Sequence, residues 1–392
     1  MRAAGRDGYT FVEVLVALVV FSVTMTLISA SFARIVTGSK AIGKSTETDI
    51  GGMIGLELLR TDLELAGFGL PYSGTKGLNY VEAEEGLQLV TSCPGGCPDA
   101  RPGNYNDAPH LDAPTPYRIG DNVGYNGSDY LVLKGTALGA SAVCRSWCYL
   151  TYSSVTRPSR VEPELKNGGK DRVIVLKNEV VSGRPTRVLV TSGTNFTVPF
   201  QLPFPSEFSP RERTDHYLVY GVAPKDSAGG LLSFPFNRSD YFINRKVDKM
   251  SAFCSPGTGT LYKAVINHQG SPTKYPILDC AGDLQAVLYF DTNADGKVDY
   301  HPKPGDALLN AQTLREELRE IRVYILAQQG KKDPSYSFPV EDPARVIVVG
   351  DPELPDDAGQ VWSERALKQT FGPEWRNYRW KVYAISVLPK NL

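Results

Sequence analysis

The residues best suited to chemistry lie in one segment, DTNADGKVD, which spans residues 291–299. Oxygen-bearing side chains occupy alternate positions there, as in an EF-hand-type calcium loop, and a backbone carbonyl is available at the seventh position. The proposed ligands are Asp291, Asn293, Asp295, Asp299 and the backbone carbonyl of Lys297. Hard oxygen ligands at this spacing converge on one cation when a glycine between them permits a sharp turn. The segment predicts a calcium site that stiffens its loop.

This loop departs from the complete EF-hand pattern in two respects. Its twelfth position is Pro302, which cannot supply a bidentate carboxylate, and the preceding segment LQAVLYF predicts a strand instead of a helix. The missing ligand predicts weak affinity, in the extracellular range. The alternative is a hairpin turn rich in aspartate and asparagine, because Asp-Gly is a strong hairpin signal.

Cysteines form a second set of reactive side chains. They are Cys93, Cys97, Cys144, Cys148, Cys254 and Cys280. Cys254 and Cys280 have no close cysteine neighbour, so elimination pairs them with each other. The two Cys-x-x-x-Cys units could each close locally, or they could cross-link to each other. A four-thiolate zinc site is a further alternative, which the spacing and an oxidising compartment disfavour.

Other catalytic patterns are not found in the sequence. The four histidines are scattered, and no nucleophile elbow, zinc-protease helix or phosphate loop occurs. The 42 basic and 43 acidic side chains nearly cancel, which leaves no basic field for nucleic acid. We therefore expect neither an enzyme nor a nucleic-acid-binding protein.

Glu13 is an unusual carboxylate because a long apolar run follows it. The 20 residues between Glu13 and Arg34 are uncharged, and as a helix they would span about 30 Å, one bilayer core. An acid at the edge of such a run is costly and needs a cationic partner. A secretory signal peptide is the alternative, but the run is longer than an ordinary signal and no small-residue cleavage site directly follows it.

The segment around Glu13 resembles the class III leader of the type IV pilin family. A short basic leader ends at Gly8, and the sequence YTFVE follows over residues 9–13. The resemblance implies that a prepilin peptidase cleaves after Gly8 and that the new N-terminal residue, Tyr9, is methylated. It also implies that Glu13 pairs with the N-terminal amine of a neighbouring subunit during assembly.

Glycine and proline placement predicts the helix that carries this leader. No proline precedes Pro71, so one helix can run over residues 9–66, with 9–34 as the transmembrane segment and filament core. The exit DLELAGFG at residues 62–69 resembles that of PilW-like minor pilins. The order of motifs from residue 260 to the end of the sequence, including LREIRVYILA and YRWKVYAISVLPKNL, also resembles the C-terminal half of those proteins.

Short β-rich runs separated by turn residues predict an antiparallel head. The predicted strands cover residues 86–92, 129–135, 171–178, 186–192, 216–222, 259–267, 284–290, 320–328 and 380–388, with a helix at 308–320. The predicted fold is α+β and pilin-like, with a long N-terminal helix packed on this head. Its divisions are a leader (1–8), the helix (9–66), a first head part with disulfide-held loops (67–240) and a C-terminal part (241–392).

The resemblance implies a minor pilin that initiates or caps a type IV pilus at its tip. Its partners would be the prepilin peptidase, other minor and major pilins, the assembly platform and a PilY-type tip adhesin. It would sit in the bacterial inner membrane with a periplasmic head before assembly, and at the pilus tip and cell surface afterwards. A type II secretion pseudopilin is one alternative, which Glu13 disfavours; a pilin-anchored surface-binding or enzymatic domain, with residues 71–258 as insert, is another.

Overall fold

A computed structural model describes residues 11–12, 15, 18–22, 24–25, 52–93, 96–108, 111–160, 163–181, 183–224, 232–268, 272–302, 310–354 and 358–392. The chain divides into two units, Met1–Ile50 and Gly51–Leu392. The described positions of the first unit are helical. Within these ranges, no helix combines the length and the apolar character needed to cross a bilayer. Most of the predicted span at residues 9–34 lies outside them.

The second unit contains three α-helices among its described residues. Helix α1 covers 52–65, α2 covers Ala311–Glu317 and α3 covers Glu364–Phe371. The two short helices begin at side-chain caps, because Asn310 accepts hydrogen bonds from the backbone of α2 and Ser363 does so for α3.

The described part of the second unit has fifteen β-strands. They are β1 Tyr117–Gly120, β2 Tyr130–Gly135, β3 Trp147–Thr151, β4 Ser159–Arg160, β5 Asp171–Val181, β6 Arg184–Leu189, β7 Val198–Pro199, β8 His216–Pro224, β9 Asn237–Asn244, β10 Gly259–Ile266, β11 Thr273–Phe290, β12 Leu318–Gln329, β13 Ile347–Gly350, β14 Gly359–Trp362 and β15 Arg379–Val387.

A seven-stranded antiparallel sheet forms the centre of the head, in the order β1-β2-β9-β10-β11-β12-β15. Side chains alternate between its two faces. Leu284 of β11 and Ile321 of β12 share one apolar core with Leu59 and Leu63 of α1. The sheet therefore packs on α1.

The opposite face of the same sheet carries a second apolar cluster. Tyr289 and Tyr324 lie there with Trp362 of β14 and Phe371 of α3. The β13–β14 hairpin and α3 thus form a third layer over this face, which explains why β11 and β12 are apolar on both sides.

A second antiparallel sheet has the order β4-β3-β8-β5-β6, with β7 paired to β5. One of its faces contributes Ile174 and Leu218 to the core shared with α1. Its other face has a core of its own around Val173 and Phe200.

These sheets confirm the predicted combination of helix with antiparallel β-structure. The predicted division at residues 240 and 241 falls inside β9. Because the central sheet takes strands from both sides of that division, the two predicted parts share one sheet.

Three local predictions were wrong. Residues 86–92 form no strand: Leu89 and Val90 are both buried instead of alternating, and Thr91 hydrogen-bonds to the Asn244 side chain. The predicted helix 308–320 is helical only over Ala311–Glu317 in its described part, because Leu318 already pairs with β11. The stretch from Pro94 to Gly127, rich in proline, glycine and asparagine, predicts a disulfide-held surface loop, but its residues Tyr105, Tyr117 and Tyr125 are buried in the core.

Candidate functional site

The predicted processing and assembly residues, Gly8, Tyr9 and Glu13, lie outside the described residues. Their described neighbours are apolar and exposed: Phe11 is 82 % and Val12 68 % exposed. Exposed apolar side chains grouped on a helix are typical of an interaction surface.

Helix α1 has a buried apolar face and an exposed face that mixes apolar with charged side chains. Leu59 and Leu63 are fully buried against the head, whereas Met53 and Ile54 are 62 % and 67 % exposed. Glu57 is exposed on the same side of the helix. The outer face of α1, defined by Met53, Ile54 and Leu58, is a candidate contact surface, because exposed apolar patches often mark interaction sites.

Gly55 brings α1 close to β11. A Cβ built on Gly55 would lie 2.2 Å from the Ile277 carbonyl oxygen, and one on Gly52 would lie 2.7 Å from a methyl of Leu278. In the sequence, a glycine inside a helix indicates only a loss of helix stability, by up to about 1 kcal/mol relative to alanine. The structure gives them a packing role, since any side chain at Gly55 would push the helix off the sheet.

A buried ion pair fixes α1 to the central sheet. Asp62 of α1 is ion-paired with Lys263 of β10, and it accepts a hydrogen bond from the Tyr241 hydroxyl of β9 at 2.6 Å. Burial, and then the Asp62 carboxylate, raise the pKa of Tyr241 well above its usual value, so the phenol stays protonated and donates. Tyr117 adds a hydrogen bond to the Leu63 carbonyl at 2.7 Å.

A second, fully buried set of charges joins the segment after α1 to β2 and β9. Lys134 lies 2.7 Å from Glu82 and 2.6 Å from Asp107. Arg238 lies 2.8 Å from Asp240 and 3.2 Å from Glu82. All five side chains are fully buried, so these groups act as internal clamps.

The loop at residues 291–299 turns its acidic side chains to its own backbone. Asp291 accepts hydrogen bonds from the backbone N–H groups of Asp295 and Gly296, at 3.1 and 3.0 Å, and from Arg319 at 3.1 Å. Burial opposes ionisation, but these donors hold the pKa of Asp291 below its usual value. Asp299 accepts from the Thr292 backbone and hydroxyl.

The remaining predicted ligands follow the same pattern. Asn293 accepts a hydrogen bond from the backbone of Asp295, and Asp295 accepts one from that of Lys297. Within the described ranges, no three acidic, histidine or cysteine side chains come together as a metal-binding group. The geometry fits the hairpin alternative, with Phe290 bridging to Tyr300. It leaves the calcium prediction without structural support.

The cysteines divide into bridges and thiols. Disulfides join Cys254 to Cys280, as elimination predicted, and Cys93 to Cys97, one of the two local closures considered.

The expected third bridge does not form, and Cys144 and Cys148 are buried thiols. Cys144 donates to the Val222 carbonyl, whereas Cys148 packs in the core around Val173 and Phe200. Burial raises the pKa of Cys144 to about 11, which keeps it in the unreactive thiol form.

One family model matches the chain: the prokaryotic N-terminal methylation motif, over residues 4–29. This motif is the class III leader of type IV pilins and contains Gly8, Tyr9 and Glu13. It implies processing by a prepilin peptidase, association with other pilins and membrane anchoring before assembly. No curated protein and no solved structure matches the chain.

Proposed function

From the class III leader at residues 4–29, we propose that this chain is a PilW-like minor pilin that initiates or caps a type IV pilus at its tip. A prepilin peptidase cleaves it after Gly8, and Tyr9 becomes the methylated N-terminus. Before assembly a single apolar helix holds it in the inner membrane with its head in the periplasm. In the filament, Glu13 pairs with the N-terminal amine of a neighbouring pilin.

The outer face of α1 supports the proposal. A helix that is buried on one side and exposes Met53, Ile54 and Leu58 on the other suits a subunit whose helix also packs between neighbouring helices. Burying one such side chain fully in an interface contributes about 1.5–3 kcal/mol. Other pilins and the assembly platform are the expected partners of this surface.

The size of the head favours a low-copy position. More than 300 residues follow α1, arranged in two large sheets and a third layer. A head of this bulk suits the tip better than dense repetition along a filament, and there it could contact a PilY-type adhesin. No catalytic role is proposed.

Calcium binding at residues 291–299 stays a proposal, because a cation would first have to replace the hydrogen-bond donors of Asp291. A cation would have to displace Arg319 and two backbone donors from Asp291. Binding would therefore be weak, and its role would be to stiffen the loop.

A charge on the outer face of α1 tests the proposed assembly role. Ile54→Asp in the full chain should reduce the amount recovered in sheared filaments, because assembly would bury the new carboxylate. Val247→Asp is the matched control: Val247 is 74 % exposed on the head. Both substitutions should leave the melting temperature nearly unchanged, since both sites are exposed.

The recovery of the two variants in filaments decides whether the outer face of α1 is an assembly surface. Loss of Ile54→Asp from filaments, with normal recovery of Val247→Asp, supports the proposal. Equal recovery of Ile54→Asp and wild type would exclude this face as an assembly surface. Glu13→Ala provides a second test, because normal incorporation of that variant would contradict its pairing role.

A further inference from the structure

A cleft of about 240 Å³ lies beside the segment that follows α1. The second sheet contributes Trp147, Tyr149, Arg187 and Tyr220 to its lining, and Lys390 comes from the segment after β15. Aromatic rings and two cationic side chains thus line the cleft, together with Leu218, Asn391 and Leu392.

The aromatic rings lie at the edge of the sheet face that packs on the core shared with α1. Cys148 and Leu150 point into the core on the other face, so Trp147 and Tyr149 share this face at a spacing of two residues. Their ring centroids are 5.0 Å apart at 76°, and Trp147 is stacked on Tyr220 at 6.3 Å and 26°. Tyr149 is 45 % exposed, which gives the cleft an accessible aromatic wall.

The cations at this cleft have no carboxylate partner within the described ranges. Arg187 is half-buried, and its guanidinium lies 5.2 Å from the centroid of the Tyr72 ring. Among the described residues, Lys390 forms no ion pair, and the indole N–H of Trp147 donates to no protein acceptor. A half-buried cation is stabilised when an anion accepts its hydrogen bonds.

We propose that this cleft binds an acidic sugar unit, a pyranose ring that carries a carboxylate. The apolar C–H face of the ring packs on Trp147 and Tyr149, and the carboxylate accepts hydrogen bonds from Arg187 and Lys390. The volume falls below the range of about 300–1,000 Å³ typical of pockets for drug-sized ligands, so it suits a single sugar ring. This inference does not depend on a position at the filament tip.

The aromatic wall favours a sugar over an acidic peptide. An extended peptide that adds to a sheet edge binds chiefly through backbone hydrogen bonds. The cleft instead presents flat rings and cationic side chains, which suit a ring with an apolar face and oxygen atoms at its rim.

The test measures binding of trigalacturonate to the full chain in detergent, by calorimetry and tryptophan fluorescence. Maltotriose is the neutral control ligand, and tetraglutamate is the peptide control. Arg187→Gln should weaken trigalacturonate binding about tenfold or more, as expected for a lost charge-assisted hydrogen bond. Lys249→Gln, which removes an exposed lysine outside the cleft, should change it less than twofold.

Two substitutions at Trp147 test whether the aromatic wall contributes to binding. Trp147→Ala should weaken binding about tenfold, whereas Trp147→Phe should retain most of it, because a ring remains. If Trp147→Ala does not fold, the Arg187→Gln comparison still decides the matter. Absence of saturable trigalacturonate binding, or equal binding to wild type and Arg187→Gln, would overturn the proposal. Equally tight binding of maltotriose or tetraglutamate would overturn it as well, the latter in favour of an acidic polypeptide.

Discussion

Asp62 offers the sharpest test of how α1 is held on the head. Asp62 and Lys263 are only 3 % and 7 % exposed, so replacement of Asp62 by asparagine leaves a buried ammonium group without its counter-charge. Removing one partner of a buried ion pair typically costs about 3–5 kcal/mol. The asparagine oxygen can still accept from Tyr241, so most of the loss should come from the uncompensated charge on Lys263.

A double-mutant cycle isolates that charge. Asp62→Asn alone should lower the free energy of unfolding by about 3 kcal/mol. In a Lys263→Met background the same change should cost about 1 kcal/mol or less, because no buried cation remains. Glu57→Gln is the control on the same helix: Glu57 is 69 % exposed and lies 4.0 Å from Arg60, and such surface pairs contribute about 0–1 kcal/mol.

Urea denaturation of the full chain in detergent, followed by tryptophan fluorescence, measures these values. All four tryptophans lie between residues 147 and 380, so the signal reports the head. A cost of Asp62→Asn that is the same in both backgrounds would refute the ion-pair reasoning. A cost no larger than that of Glu57→Gln would show that the α1 contact does not depend on this pair.

Three further predictions concern other parts of the head. Cys254 and Cys280 close a loop with a sequence separation of 26, against 4 for Cys93 and Cys97. Replacing Cys254 and Cys280 with serine should therefore lower the free energy of unfolding by about 3.5 kcal/mol, and replacing Cys93 and Cys97 should lower it by about 2 kcal/mol. Urea denaturation measures both losses. Burial raises the pKa of Asp283 to about 7, so the folded state retains a proton that the unfolded state loses. Stability should therefore fall as pH rises from about 4 to about 7. Asp283→Asn should flatten this slope in thermal melts, and an unchanged slope would contradict the prediction. Asp291→Asn should lower the melting temperature in EDTA, because Asp291 accepts hydrogen bonds from two backbone N–H groups and Arg319. A melting temperature that rises with millimolar calcium in wild type but not in this variant would support the calcium proposal. An unchanged melting temperature of the wild type in calcium would defeat it.

The sequence predicted those elements whose pattern is local. Short apolar runs rich in β-branched residues at 171–178 and 320–328 correspond to β5 and β12. Glycine and proline after residue 66 marked the end of α1, and isolation in the sequence paired Cys254 with Cys280. Each of these signals depends on residues close together in the chain or on simple elimination.

What the sequence could not predict depends on contacts between distant segments. Strand β9 is buried at every position, so it lacks the alternation that marks a half-exposed strand. The partnership of Asp62 with Lys263 joins residues from α1 and β10, and no local signal indicates it. The cleft likewise needs β3, β6, β8 and the last residues together.

The most direct test of pilin identity is the mass of the N-terminal peptide of the chain recovered from sheared filaments. The peptide should begin at Tyr9 and carry one methyl group on its amine. A chain that still begins at Met1 would contradict it, as would a chain that is never found in filaments.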